Sequence, residues 1–221
     1  MDTIEKMWAS LKAKLRRKKM DENFETALKR TLEIEGGYVN HPDDPGGETY
    51  RGCARKLFPN WKGWTIIDKY KEGYPDISTK KLEALLHSDA QLQIEVRDFY
   101  LTEFWKPLQA GKIDSKIVAM EYFDTGVNCG HGTTKRFLQE VLNFLNLKEK
   151  RWEDLEVDGK VGPKTLAACN KATKNKQIES ALFVYLNCLQ GARYVGLGKK
   201  NEKFESFAIG WALRARTDIG A

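Results

Sequence analysis

The sequence is poor in the residues that staple small secreted domains or build metal centres. Its 221 residues include four cysteines and three histidines. Cys53, Cys129, Cys169 and Cys188 are scattered, with no Cys-x-x-Cys pair. In a chain this long they read as reduced, partly buried thiols and not as a disulfide framework. Zinc needs more His or Cys than His41 supplies in its neighbourhood. Calcium needs alternating oxygens in a fixed frame ending in Glu, and DDPGGE lacks that frame. No metal and no cofactor is expected. Long apolar runs are also missing, so no segment reads as a membrane span. The first residues carry Asp2, Glu5 and Lys6 and have no secretory h-region. Synthesis in the cytoplasm without a recognisable signal peptide is therefore expected. RNA-binding aromatic signatures and zinc-finger spacings are absent, so no nucleic-acid partner is expected.

What is present describes a soluble globular protein, with 41% hydrophobic and 31% charged residues. The net charge of +6 and a pI near 9.0 favour anionic partners, an acidic cell-wall polymer among them. Residues 1–20 place Ile4, Met7, Trp8, Leu11 and Leu15 on one face at helical spacing, and Lys12, Lys14, Arg16, Arg17, Lys18 and Lys19 elsewhere. Two readings stand for this segment: a helix docked on the domain with a solvated basic face, and an interfacial helix touching membrane or a polyanion.

The rest reads as mainly α. A helix is expected from about Asn23 to Glu35, with Phe24, Ala27, Leu28, Thr31 and Leu32 inward. Residues 38–78 are turn-rich and read as irregular with a short hairpin. Further helices are expected from Ser78 through KKLEALLHS, over Asp89–Trp105 with Pro107 ending it, over Ile117–Asn128 and over Thr133–Leu147. Gly162-Pro163 opens another helix. Two more follow, over Gln177–Tyr194 and Glu202–Arg216. The domain reading is a basic amphipathic helix over 1–22, a catalytic region over 23–115 and a helical region over 116–221.

The chemistry concentrates between Leu32 and Gly52, in LEIEGGYVNHPDDPGGETYRG. At about 100° per residue, Glu35 returns to the azimuth of Phe24 and projects from the apolar face at the helix end. Gly36 and Gly37 then break the helix. A carboxyl group in that setting tends to keep its proton, because desolvation and the negative end of the helix both penalise its charged form. Glycoside hydrolysis needs such an acid, and a second polar group that holds water or stabilises the cationic transition state. Asp44 lies nine positions on and Thr49 five beyond. The intervening glycines let the chain fold back and let a polymer approach the backbone. On spacing alone, a sugar-cleaving site and a capped helix followed by an ordinary polar turn both stay open. Asp124 and Asn128 share a helix face at i,i+4, reading either as a polar pair facing the cleft or as side chains satisfying backbone. Tyr38 is read either as lining a sugar cleft or as packing, and Asp158 as bonding its own turn.

EGGYVNHPDDPGGETYRG resembles the signature of glycoside hydrolase family 108, the N-acetylmuramidase-like group also labelled secretion activators. Its pattern, E-G-G-Y, a spacer, then D-x-G-G-x-T-x-x-G, is matched by Glu35, Gly36, Gly37, Tyr38, Asp44, Gly46, Gly47, Thr49 and Gly52. FDTGVNCG, FLQEVLN, VDGKVGPKT and FESFAIGWALR resemble that family's C-terminal predicted peptidoglycan-binding part. The resemblance covers about Phe24 to Arg216. It implies a lysozyme-like, mainly α fold with a turn-rich, hairpin-containing active-site segment. It also implies cleavage of the β-1,4 bond from N-acetylmuramic acid to N-acetylglucosamine in peptidoglycan glycan strands, in the periplasm or outside the cell. Glu35 would be the general acid. By analogy with the catalytic trio of phage-type lysozymes, Asp44 would position water or stabilise charge and Thr49 would help orient the water; Tyr38, Gly46, Gly47, Asp124 and Asn128 are the candidate substrate contacts read from the residues themselves. A monomer is expected, in the setting of an endolysin or a secretion-linked wall hydrolase. Cys53 and Arg55 depart from the family's usual residues, which bears on substrate preference more than on chemistry. A lytic transglycosylase and a non-catalytic wall-binding or secretion-assisting protein are the alternatives.

Overall fold

The computed structural model describes residues 22–33, 36–40 and 47–215. The segment read as an amphipathic helix over 1–20, and Glu35, Asp44 and Gly46, lie outside the described residues. The fold is mainly α, as expected. Two compact units form, one from Leu28–Glu103 and one from the chain on either side of it. Helix α1, described over 22–33, contributes to both.

In the Leu28–Glu103 unit three short strands, β1 (Tyr38–Val39), β2 (Thr49–Tyr50) and β3 (Cys53–Ala54), pair antiparallel in chain order. Three helices follow: α2 (Gly63–Gly73), α3 (Thr79–Ser88) and α4 (Ala90–Tyr100). Helix α2 corrects the irregular reading of 38–78. Only Gly63, Trp64 and Ile67 of its eleven residues are buried, a stripe too narrow to stand out between the flanking turns. Asp89, and not Ser78, makes a side-chain cap here: its Oδ1 accepts from the Leu92 amide at 2.7 Å. The core of this unit holds Tyr50, Cys53, Trp64, Ile67, Leu86, Leu92, Val96 and Tyr100.

The expected Asp89–Trp105 helix divides. Past Tyr100 the chain winds as a π turn, Leu101–Trp105, then as a short helix α5 (Lys106–Leu108). Pro107 therefore sits inside the first turn of α5 and does not end a helix. The wider π turn loosens the ladder just where proline has no N–H to give. Gln109, at φ 57°, turns the chain instead.

In the other unit, α6 (Lys116–Cys129), α7 (His131–Leu145) and α9 (Lys176–Lys200) pack on one another, with α8 (Pro163–Ala172) against α7. A 3-10 segment, Glu202–Phe207, and α10 (Ala208–Arg214) lie on α9. Helix α6 is buried almost all round, which is why its apolar residues show little periodicity. Phe24, Trp105 and Phe123 form an aromatic cluster with centroids 5.4–6.1 Å apart. Tyr100 and Trp105 are core residues, and Trp211 stacks on Tyr194 at 4.7 Å. Among the described residues no helix is long and apolar enough to cross a membrane.

The four cysteines are thiols: Cys53, Cys129 and Cys169 are buried and Cys188 is exposed. Burial pushes the Cys129 thiol up to about 11 and the Cys169 thiol up to about 12, from an ordinary 9.0. A single thiol, that of Cys188, is expected to react with a disulfide reagent at pH 8 in the native protein, and four in denaturant. The raised values also make stability pH-dependent. The two thiols add nothing adverse below pH 9.0, but above it the unfolded chain ionises while the folded one stays protonated. The denaturation midpoint is therefore expected to fall from about pH 9 upward, and less so in Cys169→Ala.

Candidate active site

The hairpin ribbon is where the sequence pattern acquires a physical cause. Tyr38 pairs with Tyr50 and Val39 with Thr49 across β1 and β2. Strand alternation sends the two tyrosines to one face and Val39 with Thr49 to the other. Tyr38 and Tyr50 are buried, while Val39 is 44% exposed. Thr49 is half-buried, and among the described residues its hydroxyl makes a single long hydrogen bond, 3.4 Å, to the Gly47 carbonyl.

The turn from β2 to β3 is made by Arg51 and Gly52, at φ 46° and 79°. Positive φ at both central residues is what a two-residue hairpin needs, and glycine takes it without strain. The non-glycine Arg51 is held there from three sides. Its amide donates to the Gly37 carbonyl at 3.1 Å, its carbonyl accepts from the Tyr100 hydroxyl at 3.0 Å, and its guanidinium donates to Gln93 at 2.6 Å. Gly47, at φ 69°, makes the bend into β2. The T-x-x-G spacing thus encodes a strand and its left-handed turn. Gly37 is required for a different reason: a Cβ there would stand 1.6 Å from Oε1 of Glu83 on α3.

The tyrosine face carries a charge network that sequence reasoning missed. The Glu48 side chain is 9% exposed. It accepts from the Tyr38 hydroxyl at 2.7 Å and Lys71 Nζ at 3.0 Å, and pairs with Arg55 Nε at 2.6 Å. Arg55 also binds Asp68 through two nitrogens, at 3.0 and 2.6 Å, and its guanidinium lies 4.4 Å over the Trp64 ring. Burial, and then the Glu48 hydrogen bond, hold the Tyr38 phenol well above the usual tyrosine range. The signal available in the sequence was Arg55 itself, a departure from the family pattern whose partners sit on a helix not anticipated there. Glu48, which lay in the candidate metal loop, is committed to two cations and a phenol.

Asp124 and Asn128 lie on α6, in the other unit. Asp124 is buried and paired with Arg214 of α10, Nε to Oδ2 3.3 Å. Asn128 Nδ2 donates to the Asp124 carbonyl at 2.7 Å, so the i,i+4 pair forms as a helix-internal contact. In the same unit FLQEVLN and VDGKVGPKT turn out to be one structure. Buried Gln139 donates to Asp158 Oδ1 and the Lys160 carbonyl and accepts from the Gly159 amide, while Asn143 exchanges two 2.7 Å bonds with the backbone of Leu155. The Gln139 bond, then the Lys160 amide, hold the Asp158 carboxyl below its usual range.

The described residues form a mainly helical fold with a small antiparallel ribbon set among the helices. Residues 28–130 match the family model described as Glycosyl hydrolase 108, and residues 133–216 match the Predicted Peptidoglycan domain. A Glycosyl hydrolase 108 match followed by a Predicted Peptidoglycan domain match supports a peptidoglycan-acting glycosidase. The structure of Brucella abortus SagA is similar in fold, with 24% identity, a TM-score of 0.59, and coverage of 88% of this chain and 90% of that one. No curated protein matches the chain.

Glu48→Gln removes the charge facing Arg55 and Lys71, both about a third exposed. A loss of about 1–3 kcal/mol in unfolding free energy is expected, the lower part of that range reflecting solvent screening. The Tyr38 phenol, assigned with Tyr38→Phe, should titrate at lower pH in the variant.

Proposed function

We propose that the chain is a muramidase, cleaving the β-1,4 bond between N-acetylmuramic acid and N-acetylglucosamine with Glu35 as general acid. The reading is supported above all by the register of Val39 on Thr49. It returns the motif's threonine to the strand that leaves the E-G-G-Y segment, on the face opposite the buried tyrosines. The glycines at 47 and 52 serve that return. Glu35 donates its proton to the glycosidic oxygen as the bond from the muramic acid C1 breaks. Water held near Asp44 and Thr49 adds to C1 and gives up a proton, completing the hydrolysis. Gly46 and Gly47 let the glycan approach the backbone, and Tyr38 steadies the loop through Glu48. The basic charge of the chain suits an anionic wall. Residues 23–115 would carry the chemistry and 116–221 the wall contact, with Asp124 and Asn128 helping to shape the latter.

Digestion of purified peptidoglycan, with products reduced and weighed by mass spectrometry, tests this. Wild type is expected to release reducing-end muramic acid, and Glu35→Gln to be slower by about 10²–10⁴-fold. Anhydro-muropeptides would make the enzyme a lytic transglycosylase, and reducing-end glucosamine would move the cleaved bond. No products from folded protein on several wall types would leave a wall-binding role.

A further inference from the structure

We infer that the cavity between α9 and α10 binds an N-acetylated, uncharged hexosamine, which in a glycan strand of the wall is the N-acetylglucosamine. The inference rests on the reading of 116–221 as the wall-contacting part, and it gives that contact a place and a chemistry. Every residue lining the cavity falls within 133–216, the part matched by the Predicted Peptidoglycan domain.

The cavity measures about 500 Å³, on the scale of small-ligand sites. Helix α9 lines it with Asn187, Gly191 and Tyr194, and the chain that folds back on α9 lines it with Phe204, Glu205 and Trp211. The Trp211 indole stacks on the Tyr194 ring at 4.7 Å and an interplanar angle of 19°, and the Phe204 ring lies 5.9 Å from it. Arg214, on the same short helix as Trp211, pairs with the buried Asp124 of α6 and holds α10 in place. The aromatic wall is therefore set before a ligand arrives. On the α9 side, a Cβ added to Gly191 or Gly198 would meet nothing within 4 Å, so the helix surface there is open.

Asn187 separates this cavity from a packing gap. It is 1% exposed. Its Nδ2 donates to the Phe183 carbonyl at 3.1 Å, while its Oδ1 has no partner among the described residues. A buried acceptor without a donor is costly, and native structures carry few of them. A fitting ligand brings a donor to that oxygen, an apolar face to the rings and a small apolar group to Ala208 and Ala212, which also line the cavity. A hydrocarbon chain brings no donor. A sugar bearing hydroxyls alone would lose water from them against an apolar wall that cannot replace it. An acetamido sugar brings all three: the amide N–H, the C–H face of the pyranose against the negative faces of the rings, and the methyl group. Charge then chooses between the two sugars of the strand. Glu205 is the one charged residue lining the cavity among the described residues. The lactyl group of muramic acid, as a carboxylate or carrying an acidic stem peptide, would bring a like charge towards it. The neutral N-acetylglucosamine does not.

Cys188, an exposed thiol lining the same cavity, gives a readout that needs no turnover. Its reaction with a disulfide reagent is timed in the full chain, with N,N′,N″-triacetylchitotriose as the probe. The probe is expected to slow the reaction several-fold, and cellotriose, which has hydroxyls in place of the acetamido groups, to leave it unchanged at the same concentration. Asn187→Leu, which removes the acceptor, is expected to raise the half-protecting concentration about tenfold. Gly191→Leu, which fills the cavity from a position with open space, is expected to abolish the slowing and serves as the readout if Asn187→Leu does not fold. No protection by chitotriose, equal protection by cellotriose, or protection that survives both substitutions overturns the inference. Sedimentation of the protein with purified peptidoglycan is measured beside it. Protein that sediments with the wall while chitotriose leaves Cys188 unprotected overturns the site and keeps the wall contact. Protection by chitotriose in protein that does not sediment keeps the site and removes the wall-contact reading.

Discussion

The Glu48 carboxylate is the point on which the ribbon depends. A charge buried this far costs several kcal/mol unless it is paired and hydrogen-bonded on every side. Tyr38, Arg55 and Lys71 supply those partners, one from β1, one from just beyond β3 and one from α2. The carboxylate thereby ties both ends of a sheet only two residues deep to the helix beside it. An isolated ribbon of this size would not be stable in water. Arg55 extends the tie to Asp68 and to the Trp64 ring, so that the ribbon, α2 and their shared core form one arrangement.

Much of this was legible in the sequence, because local spacing carries it. The helix over 22–33, the buried α6, the amphipathic α7 and the Pro163 start of α8 all follow from periodicity and caps. The ribbon was foreseen only as a short hairpin. What spacing could not show is pairing across it. The partners of Glu48 lie ten residues before it and seven and twenty-three after it, and no local rule couples positions so unevenly placed. Helix α2 was hidden for a related reason. Much of its surface meets solvent, and its glycine ends look like turn residues. The π turn before Pro107 was misread because a proline is ordinarily the stop, and here the ladder widens ahead of it.

The second unit shows how a motif can encode a clamp and not a site. VDGKVGPKT carries an acid, two glycines and a lysine, a composition that invites a ligand. Gln139 instead uses both ends of its amide on it, and Asn143 both ends of its own on the backbone of Leu155 just before it. Amides so used fix a loop that has no secondary structure of its own. Asp124 acts similarly over a longer range, closing α10 onto α6 through Arg214.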